Sequence, residues 1–278
     1  MSRFTHAIVS RIPAEPRFLG PHPVNIDLNE ARREMDILCD NLRECGLDVA
    51  ELAPQESAPV STMWVDDQAI VINGTALICR TIHPGRKEEI TSLLQECAWQ
   101  IFETPATDAN GKRVVLLGGD VLFTGKEIFV GIRKENGTNF EGAMVVAKTF
   151  ADYATIPITI DGQHSLKYYV SVAAHDKDAP ILSVGDNKEA QNIMQRIERE
   201  ATFRYSLLRH EDDDAVNCVH ANKFLIYRDH RQLSNLKYAK LQDRLKLMPF
   251  DGANLMKLGG HLSQYVLLIR KFKHLQPL

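Results

Sequence analysis

The stretch that decides the fold reads LLGGDVLFTGKEIFVG, from Leu116 to Gly131. It predicts two apolar strands, the first leading into a paired glycine and the second following a Thr-Gly turn. Paired glycines lack Cβ atoms, so another backbone can approach them closely. Asp120 follows them directly inside an apolar segment, and a buried carboxylate is unfavourable unless it has partners. Asp120 is therefore either paired structurally or poised for a ligand, and the structural interpretation is favoured because buried carboxylates are mostly hydrogen-bonded.

The composition predicts a globular protein with one large domain or two small ones. The 278 residues are 44% hydrophobic, and 33 basic against 36 acidic side chains give a net charge of -3, so no global field attracts nucleic acid or a membrane. Apolar runs such as residues 265–269 are too short to span a bilayer, and we expect no secretory signal. Five cysteines without a CxxC pair favour reduced thiols in a cytoplasmic protein, with the nucleus not excluded.

Predicted strands and helices alternate in about five units, each with two or three strands and one helix. Helices are predicted over residues 27–45, 86–102, 139–150, 187–200 and 232–247. Four of the predicted strands cover residues 63–72, 113–117, 164–174 and 262–269, and Asn73-Gly74 turns the first of these into a hairpin. The repeated units predict a closed, radially arranged α/β fold in one domain, residues 1–278, rather than a Rossmann sheet.

Four polar side chains fall inside or beside otherwise apolar segments, namely Asp66, Asp67, Asp120 and His164. A histidine with several carboxylates forms a general acid–base set with a cation-binding site. Each of the four, taken alone, is more simply explained as a satisfied buried polar group or a charge at a strand edge. The acidic run at 210–214 lacks the glycine and spacing of a calcium loop and is interpreted as a solvated loop. No phosphate-binding loop, metal site or cofactor is predicted.

The chain resembles the dimethylarginine dimethylaminohydrolase family of the guanidine-modifying, or pentein, superfamily. The resemblance covers nearly the whole chain and is carried by five segments: FTHAIVSR at 4–11, WVDDQA at 64–69, RKE at 86–88, GGDVLFTG at 118–125 and DGQH at 161–164. The fourth segment is the most specific. The resemblance implies a five-bladed, pseudo-symmetric α/β propeller with its active site on the pseudo-symmetry axis, which agrees with the five predicted units.

In this family a cysteine thiolate attacks the guanidinium carbon, dimethylamine leaves, and water then releases citrulline. By resemblance, His164 matches the proton-transfer histidine, while Asp67 and Asp120 match carboxylates that orient the guanidine and the histidine. Asp66 stands where the family often has glutamate. Arg86 matches an arginine that helps to fix the amino-acid end of the substrate.

The resemblance fails at the nucleophile. The family's cysteine pair aligns with Gln264 and Tyr265, and no cysteine follows Cys218 in the sequence. An amide offers no ionisable nucleophile, and a phenol, with an ordinary pKa of about 10, is a poor substitute for a thiolate. The position of the nucleophile is therefore Gln264, and the catalytic set around it is vestigial.

Three further ligand-binding positions differ from the family. Two aspartates are replaced by Ser61 and Gly259, and an arginine is replaced by Glu141, which reverses the charge. Losing groups that bind charged ends removes several charge-assisted hydrogen bonds to the substrate. In addition, the large side chains of Trp64 and Tyr265 could fill space in the pocket.

Two hypotheses follow for the function. The first is a catalytically inactive pseudoenzyme that binds another protein or an arginine-like small molecule, in which His164, Asp67 and Asp120 hold the centre of the propeller by hydrogen bonds. The second is an active hydrolase of N-methylated arginine or a related guanidine compound, in which His164 and the carboxylates activate water, or Cys218 reaches the pocket. The missing cysteine near Gln264 favours the first hypothesis.

A third hypothesis concerns the surface. Predicted helix 232–247 carries a basic stripe that could contact an acidic protein partner or RNA, formed by Lys237, Lys240, Arg244 and Lys246. An ordinary solvated helix face explains the stripe more simply. We therefore expect no membrane or nucleic-acid partner, and the identity of any protein partner is not predicted.

Overall fold

The computed structural model describes residues 3–18, 25–83, 85–175, 179–229 and 237–271. Within these residues, fifteen strands form five sheets of three strands each. The strands are β1 (His6–Ser10), β2 (Asp48–Leu52), β3 (Ala69–Ile72), β4 (Thr75–Ile78), β5 (Gln100–Glu103), β6 (Val121–Phe123), β7 (Ile128–Arg133), β8 (Thr155–Ile160), β9 (Val170–Ala174), β10 (Ile181–Gly185), β11 (Ser206–His210), β12 (Cys218–Ala221), β13 (Phe224–Arg228), β14 (Lys246–Phe250) and β15 (Leu267–Ile269). The α-helices in the same described ranges are α1 (Leu28–Glu44), α2 (Lys87–Cys97), α3 (Phe140–Thr149), α4 (Leu166–Tyr169), α5 (Lys188–Glu200) and α6 (Ala253–Met256).

A hairpin followed by a parallel strand is the repeated unit of the fold. In the sheet of β3, β4 and β5, the first two strands pair antiparallel, and α2 carries the chain back so that β5 pairs parallel with β4. The turn between β3 and β4 has positive φ at Asn73 (48°) and Gly74 (83°), as a two-residue hairpin of type I′ requires. The predicted hairpin is thus confirmed. The same order of one antiparallel and one parallel pairing recurs in the other four sheets.

The fifth sheet joins the two ends of the described chain. In it β15 pairs antiparallel with β1, with Ala7 opposite Leu268, and β1 pairs parallel with β2. In each sheet one outer strand pairs only antiparallel, and these five inner-facing strands, β3, β6, β9, β12 and β15, are called the first strands of their sheets. First strands of neighbouring sheets contact each other: β15 lies against β3, β6 against β9, and β9 against β12. The first strands therefore surround a common centre, and the helices cover the outside.

Helix α1 shows how the outer layer is attached. The Asp27 side chain caps it by accepting hydrogen bonds from the backbone N–H groups two and three residues on, at 2.9 and 3.1 Å. One face of the helix, including Ala31, Met35 and Leu38, is buried against the sheet of β15, β1 and β2. Burial contributes about 1.5–3 kcal/mol for each large apolar side chain. None of the helices in the described part of the chain combines the length and the apolar character that a membrane crossing needs.

Several predicted strands begin later than expected, because the chain first makes a short helical turn. The 3₁₀ turns Val65–Asp67 and Leu262–Tyr265 precede β3 and β15, and α4 precedes β9. A third 3₁₀ turn, Gly118–Asp120, precedes β6, a strand that the sequence did not predict. The predicted strand at 113–117 is wrong, since single bridges at Arg113 and Leu116 are its only ladder contacts with described residues. Asp67, Asp120 and Gln264 therefore lie on helical turns rather than in strands.

The predicted helix at 232–247 is wrong in its final part. Residues 246–250 form β14, which pairs parallel with β13, and a 3₁₀ turn occupies Ala239–Leu241. Residues 230–236 lie outside the described residues. The free edge of β13 satisfies the backbone of β14, and this pairing outweighs the helical periodicity of the sequence. The four basic side chains therefore do not share one helix face, and Lys246 forms an ion pair with Glu44 instead.

Candidate functional site

A cavity of about 390 Å³ lies where the chain approaches β3, β6, β9 and β15. Six of the residues proposed from the sequence line it, namely Ser61, Trp64, Asp67, His164, Gly259 and Gln264. Among the polar lining residues that the sequence did not point to are Arg133, Ser165 and His261. The structure therefore brings the predicted nucleophile position, a carboxylate and a histidine into one cavity, and adds two further histidines, His83 and His261.

Asp67 is a buried acceptor in this cavity. Its Oδ1 accepts a hydrogen bond from the Gly119 N–H at 2.8 Å, and its Oδ2 accepts one from Gln264 Nε2 at 2.8 Å. Burial raises the pKa of the Asp67 carboxyl to about 7, and the nearby negative charge of Asp66 acts in the same direction. Asp67 therefore changes its charge near neutral pH, and a bound cation would favour the ionised form.

Gln264 is held rigidly at the position that the resemblance assigns to the nucleophile. Its Oε1 accepts a hydrogen bond from the His261 N–H at 2.9 Å, which turns Nε2 towards Asp67. Both ends of the carboxamide are thereby fixed within the turn Leu262–Tyr265. A carboxamide has no proton to lose near neutral pH and no nucleophilic lone pair on nitrogen, so this position cannot form a covalent intermediate.

Asp120 is fully buried behind the cavity wall and does not line the cavity. Its Oδ2 accepts hydrogen bonds from Arg133 Nη2 at 3.1 Å and from the Thr138 N–H at 3.0 Å, while Oδ1 accepts one from the Leu166 N–H at 3.2 Å. The Arg133 guanidinium group thus binds the Asp120 carboxylate, which the resemblance pairs with a histidine. Of the two interpretations left open for Asp120, this geometry matches the structural one.

His164 lies exposed at the rim of the cavity rather than beside Asp120. Its ring stacks on Tyr168 with the ring centroids 4.0 Å apart. Partial burial, with a smaller contribution from the Arg133 charge, lowers the pKa of the His164 imidazole. The surroundings therefore favour the neutral ring, which is oriented by stacking instead of by a carboxylate.

Asp66 and Cys218 border a different cavity, of about 190 Å³. Asp66 forms a two-oxygen ion pair with Lys167 Nζ at 2.7 and 2.9 Å, so its carboxylate is already compensated. Burial raises the pKa of the Cys218 thiol to about 11, which keeps it protonated. Neither residue lines the cavity that holds Gln264, so the thiol of Cys218 does not reach the predicted nucleophile position.

Three further predicted residues lie outside the central cavity and make structural contacts. Arg86 is buried and donates to Ser10 Oγ at 3.0 Å, and it pairs with Glu89 at the start of α2. Glu141 pairs with Lys112 Nζ at 3.3 Å.

Tyr265, the third of them, is fully buried in the core instead of filling the cavity. Its hydroxyl group donates to the backbone carbonyl of Gly259, at 2.6 Å, and also contacts that of Leu255, at 3.1 Å. Trp64, by contrast, does line the cavity, so one of the two large side chains expected there is present.

The residues that the sequence did not point to form a chain of hydrogen bonds. Ser165 Oγ lies 2.9 Å from His261 Nε2, and His261 Nδ1 lies 3.1 Å from Ser263 Oγ. Asn217 Nδ2 donates to the same Ser263 Oγ at 3.0 Å, while Asn217 Oδ1 accepts from the Ser263 N–H at 2.7 Å. Burial, and secondarily the charge of Lys167, lowers the pKa of His261 well below its usual value.

A signal for His261 was present in the sequence. Like Asp120, it directly follows a paired glycine, here Gly259-Gly260, whose φ angles of +94° and +77° favour glycine. A Cβ atom at Gly260 would lie 2.8 Å from both Gln264 Oε1 and Trp64 Nε1, so the bare backbone is needed for this packing. Ser165 had no such signal. Across the described ranges, no cluster of three or more histidine, cysteine, aspartate or glutamate side chains is arranged to hold a metal ion.

The chain is similar to known proteins over its whole length. DDAH2 of Homo sapiens is 31% identical over 290 residues, which covers 99% of this chain and 97% of the human protein. DDAH2 of Bos taurus is 31% identical over 292 residues with the same coverage. No protein-family model matches the chain.

Solved structures share the architecture. DDAH from Pseudomonas aeruginosa, solved as a cysteine-to-serine variant with citrulline, has a TM-score of 0.76 at 20% identity and covers 96% of this chain and 100% of its own. The N-terminal domain of ArgZ, an arginine dihydrolase from Cyanobacteria, solved with its substrate, has a TM-score of 0.71 at 15% identity, with coverages of 96% and 98%. These similarities confirm the predicted α/β propeller of the pentein type.

Proposed function

Because the chain belongs to the dimethylarginine dimethylaminohydrolase family, we propose that its central cavity binds an arginine-like amino acid without hydrolysing it by the family's cysteine chemistry. The protein is then a binding protein, a pseudoenzyme with respect to dimethylarginine. Its ligand is either a guanidinium compound or a neutral ureido compound such as citrulline.

One observation carries the proposal: a hydrogen-bonded carboxamide, Gln264, stands where the resemblance places the thiolate. It donates to Asp67 and accepts from the His261 backbone, so it is part of a closed network rather than a free group. No cysteine among the described residues lines the cavity. Loss of a nucleophile typically lowers the rate by several orders of magnitude, about 10⁶-fold in a well-studied protease.

The cavity keeps features that suit an arginine-like ligand. Asp67 is a buried carboxylate whose oxygens retain unused lone pairs, and a planar cation is its natural partner. The cavity of about 390 Å³ falls within the range of small-molecule sites. The Pseudomonas aeruginosa structure contains citrulline, and that of ArgZ contains its substrate, so ligands of this class occur among proteins with this fold.

The alternative of water activation by His164 receives less support. An activating histidine is usually oriented by a carboxylate, but the Asp120 oxygens bond Arg133 and two backbone N–H groups. His164 itself is stacked on Tyr168 at the cavity rim. The arrangement therefore favours binding over hydrolysis.

Two measurements on the purified protein test the proposal. Isothermal titration calorimetry with citrulline, arginine and asymmetric dimethylarginine is expected to show one site, and a colorimetric citrulline assay with dimethylarginine is expected to show no turnover. The absence of a detectable heat of binding for all three compounds would refute the proposed binding. Turnover in the usual enzyme range, about 1 s⁻¹ or faster, would refute the loss of hydrolysis.

A pair of matched variants locates the site. Asp67→Asn is expected to weaken binding of the guanidinium ligands about 10- to 100-fold, because a hydrogen bond to a charged group contributes about 1.5–3 kcal/mol. Glu127→Gln makes the same change in another buried carboxyl, which bonds Tyr205 and lies outside the cavity, and is expected to leave binding unchanged. Equal effects of the two substitutions would place the ligand elsewhere.

A further inference from the structure

The hydrogen-bonded chain of Ser165, His261 and Ser263 has no part in the binding proposed above. It has the form of a nucleophile, a base and a group that orients the base. Ser165 Oγ and His261 Nε2 are 2.9 Å apart, which is the separation that proton transfer between them requires. Both residues are more than nine-tenths buried, and both line the central cavity.

Ser263 and Asn217 orient the His261 imidazole from the side of the ring that carries Nδ1. The two hydrogen bonds between Asn217 and Ser263 hold the Ser263 hydroxyl against His261 Nδ1. In the tautomer with its proton on Nδ1, His261 donates to Ser263 Oγ and presents the Nε2 lone pair to the Ser165 hydroxyl group. Burial keeps the ring neutral, so this lone pair is available at pH 7.

The space in front of Ser165 is kept open by a glycine. A Cβ atom at Gly119 would lie 3.3 Å from Ser165 Oγ, 3.4 Å from Gln264 Nε2 and 2.8 Å from Asp67 Oδ1. These three polar atoms therefore surround one point at the bare α-carbon. Gln264 Nε2 carries a second N–H beyond the one given to Asp67, and a donor beside the nucleophile is what a developing oxyanion needs.

We propose that Ser165 is a nucleophile with His261 as its general base and Ser263 as a positioning residue, and that the pair acts on the acyl carbon of an ester or thioester. A base-assisted serine hydroxyl attacks such a carbonyl readily.

The proposed reaction needs no reagent other than the ester or thioester and water. Ser165 Oγ forms a bond to the acyl carbon while its proton moves to His261 Nε2 and the carbonyl π electrons move to oxygen. The adduct collapses, the bond to the alcohol or thiol breaks, and the leaving group takes the proton from His261. Water then attacks the acyl-serine in the same way, which releases the carboxylic acid and restores the Ser165 hydroxyl group.

Labelling with a fluorophosphonate probe and peptide mapping by mass spectrometry tests this assignment. The native protein is expected to carry the probe on Ser165, Ser165→Ala to carry none, and His261→Asn to react about 100-fold more slowly or less. Ser171→Ala is the matched control, because Ser171 is equally buried but bonds the Cys218 carbonyl outside this cavity, and its labelling is expected to match the native protein. An unlabelled native protein, a label on another residue, or a rate that is indifferent to His261→Asn overturns the proposal.

The positioning role of Ser263 has its own readout. Ser263→Ala is expected to slow labelling about tenfold, within the range lost with a hydrogen bond that orients a base, and Ser263→Thr, which keeps the hydroxyl, is expected to restore it. Equal rates in the two variants overturn that role. If Ser165→Ala melts at a lower temperature than the native protein, Ser165→Cys with an iodoacetamide probe replaces it, and alkylation independent of His261 counts against the pair. Labelling needs no arginine-like ligand, so its failure is distinct from failure of the binding proposal.

Discussion

Replacing Arg133 by methionine leaves the Asp120 carboxylate buried without its cation. Asp120 is 0% exposed, and among the described residues Arg133 is its one charged partner, at 3.1 Å. Removing one partner of a buried ion pair costs about 3–5 kcal/mol. The N–H groups of Thr138 and Leu166 still donate to the carboxylate, at 3.0 and 3.2 Å, and compensate part of the charge. We therefore expect a loss of about 3 kcal/mol in the free energy of unfolding, the lower end of that range.

Urea unfolding followed by circular dichroism measures this loss, and the midpoint temperature of thermal unfolding is expected to fall by roughly 5 °C. The double variant Arg133→Met/Asp120→Asn removes both charges and is expected to recover much of the stability. Arg196→Met is the control for losing an arginine, because Arg196 pairs with the half-exposed Asp161 and such pairs contribute at most about 1 kcal/mol. A single variant within about 1 kcal/mol of the native protein, or a double variant that loses the sum of both single effects, would show that this pair does not hold Asp120.

Three other changes have expected outcomes. Gly118→Ala places a Cβ atom 1.7 Å from the Asp66 backbone oxygen, and thermal unfolding is expected to show a loss of more than about 3 kcal/mol in the free energy of unfolding. The control Gly111→Ala has no atom within 4 Å of the new Cβ and strains only its φ of +80°, so a loss of about 1 kcal/mol is expected. Because the pKa of Asp67 is raised to about 7, its carboxyl group is mostly protonated below that pH and no longer attracts a cation. Calorimetry is expected to show the affinity for arginine and dimethylarginine falling up to about tenfold per pH unit below 7 and staying constant above it, while the affinity for neutral citrulline does not change with pH. Asn139→Ala removes the N-cap of α3 and is expected to cost about 1–2 kcal/mol in urea, a value below about 0.3 kcal/mol being inconsistent with the cap.

Elements with strong local signals were predicted correctly from the sequence. The Asn73-Gly74 hairpin and the helix predicted over residues 27–45 depend on residues close together in the chain, so both can be inferred from spacing alone. The count of five units also followed from local periodicity. By contrast, the periodicity of residues 232–247 predicts a helix that extends into β14, because the stability of β14 comes from the edge of β13, which periodicity does not reveal.

The candidate site was only partly predictable for the same physical reason. The burial of Asp120 followed from its apolar surroundings, but its pairing with Arg133 depends on the geometry of β6 and β7. The 3₁₀ turn that carries Asp67 is tied to the Gly119 N–H, 52 residues further along, and a strand was predicted there because no local residue marks that contact. The pairing of Ser165 with His261 joins residues 96 positions apart.

The sheet of β15, β1 and β2 has a consequence for the synthesis of the chain. Thr5 and Ile269, hydrogen-bonded beside this sheet, are 264 positions apart, so the ribosome synthesises β2 soon after β1 but β15 only after the strands of the other four sheets. The nascent protein therefore displays an unpaired β1 edge while four complete blades fold behind it. Completion of the ring is a late, long-range event of the kind that slows folding. A free peptide with the sequence of β15 would compete for that edge only until β15 itself has paired with β1.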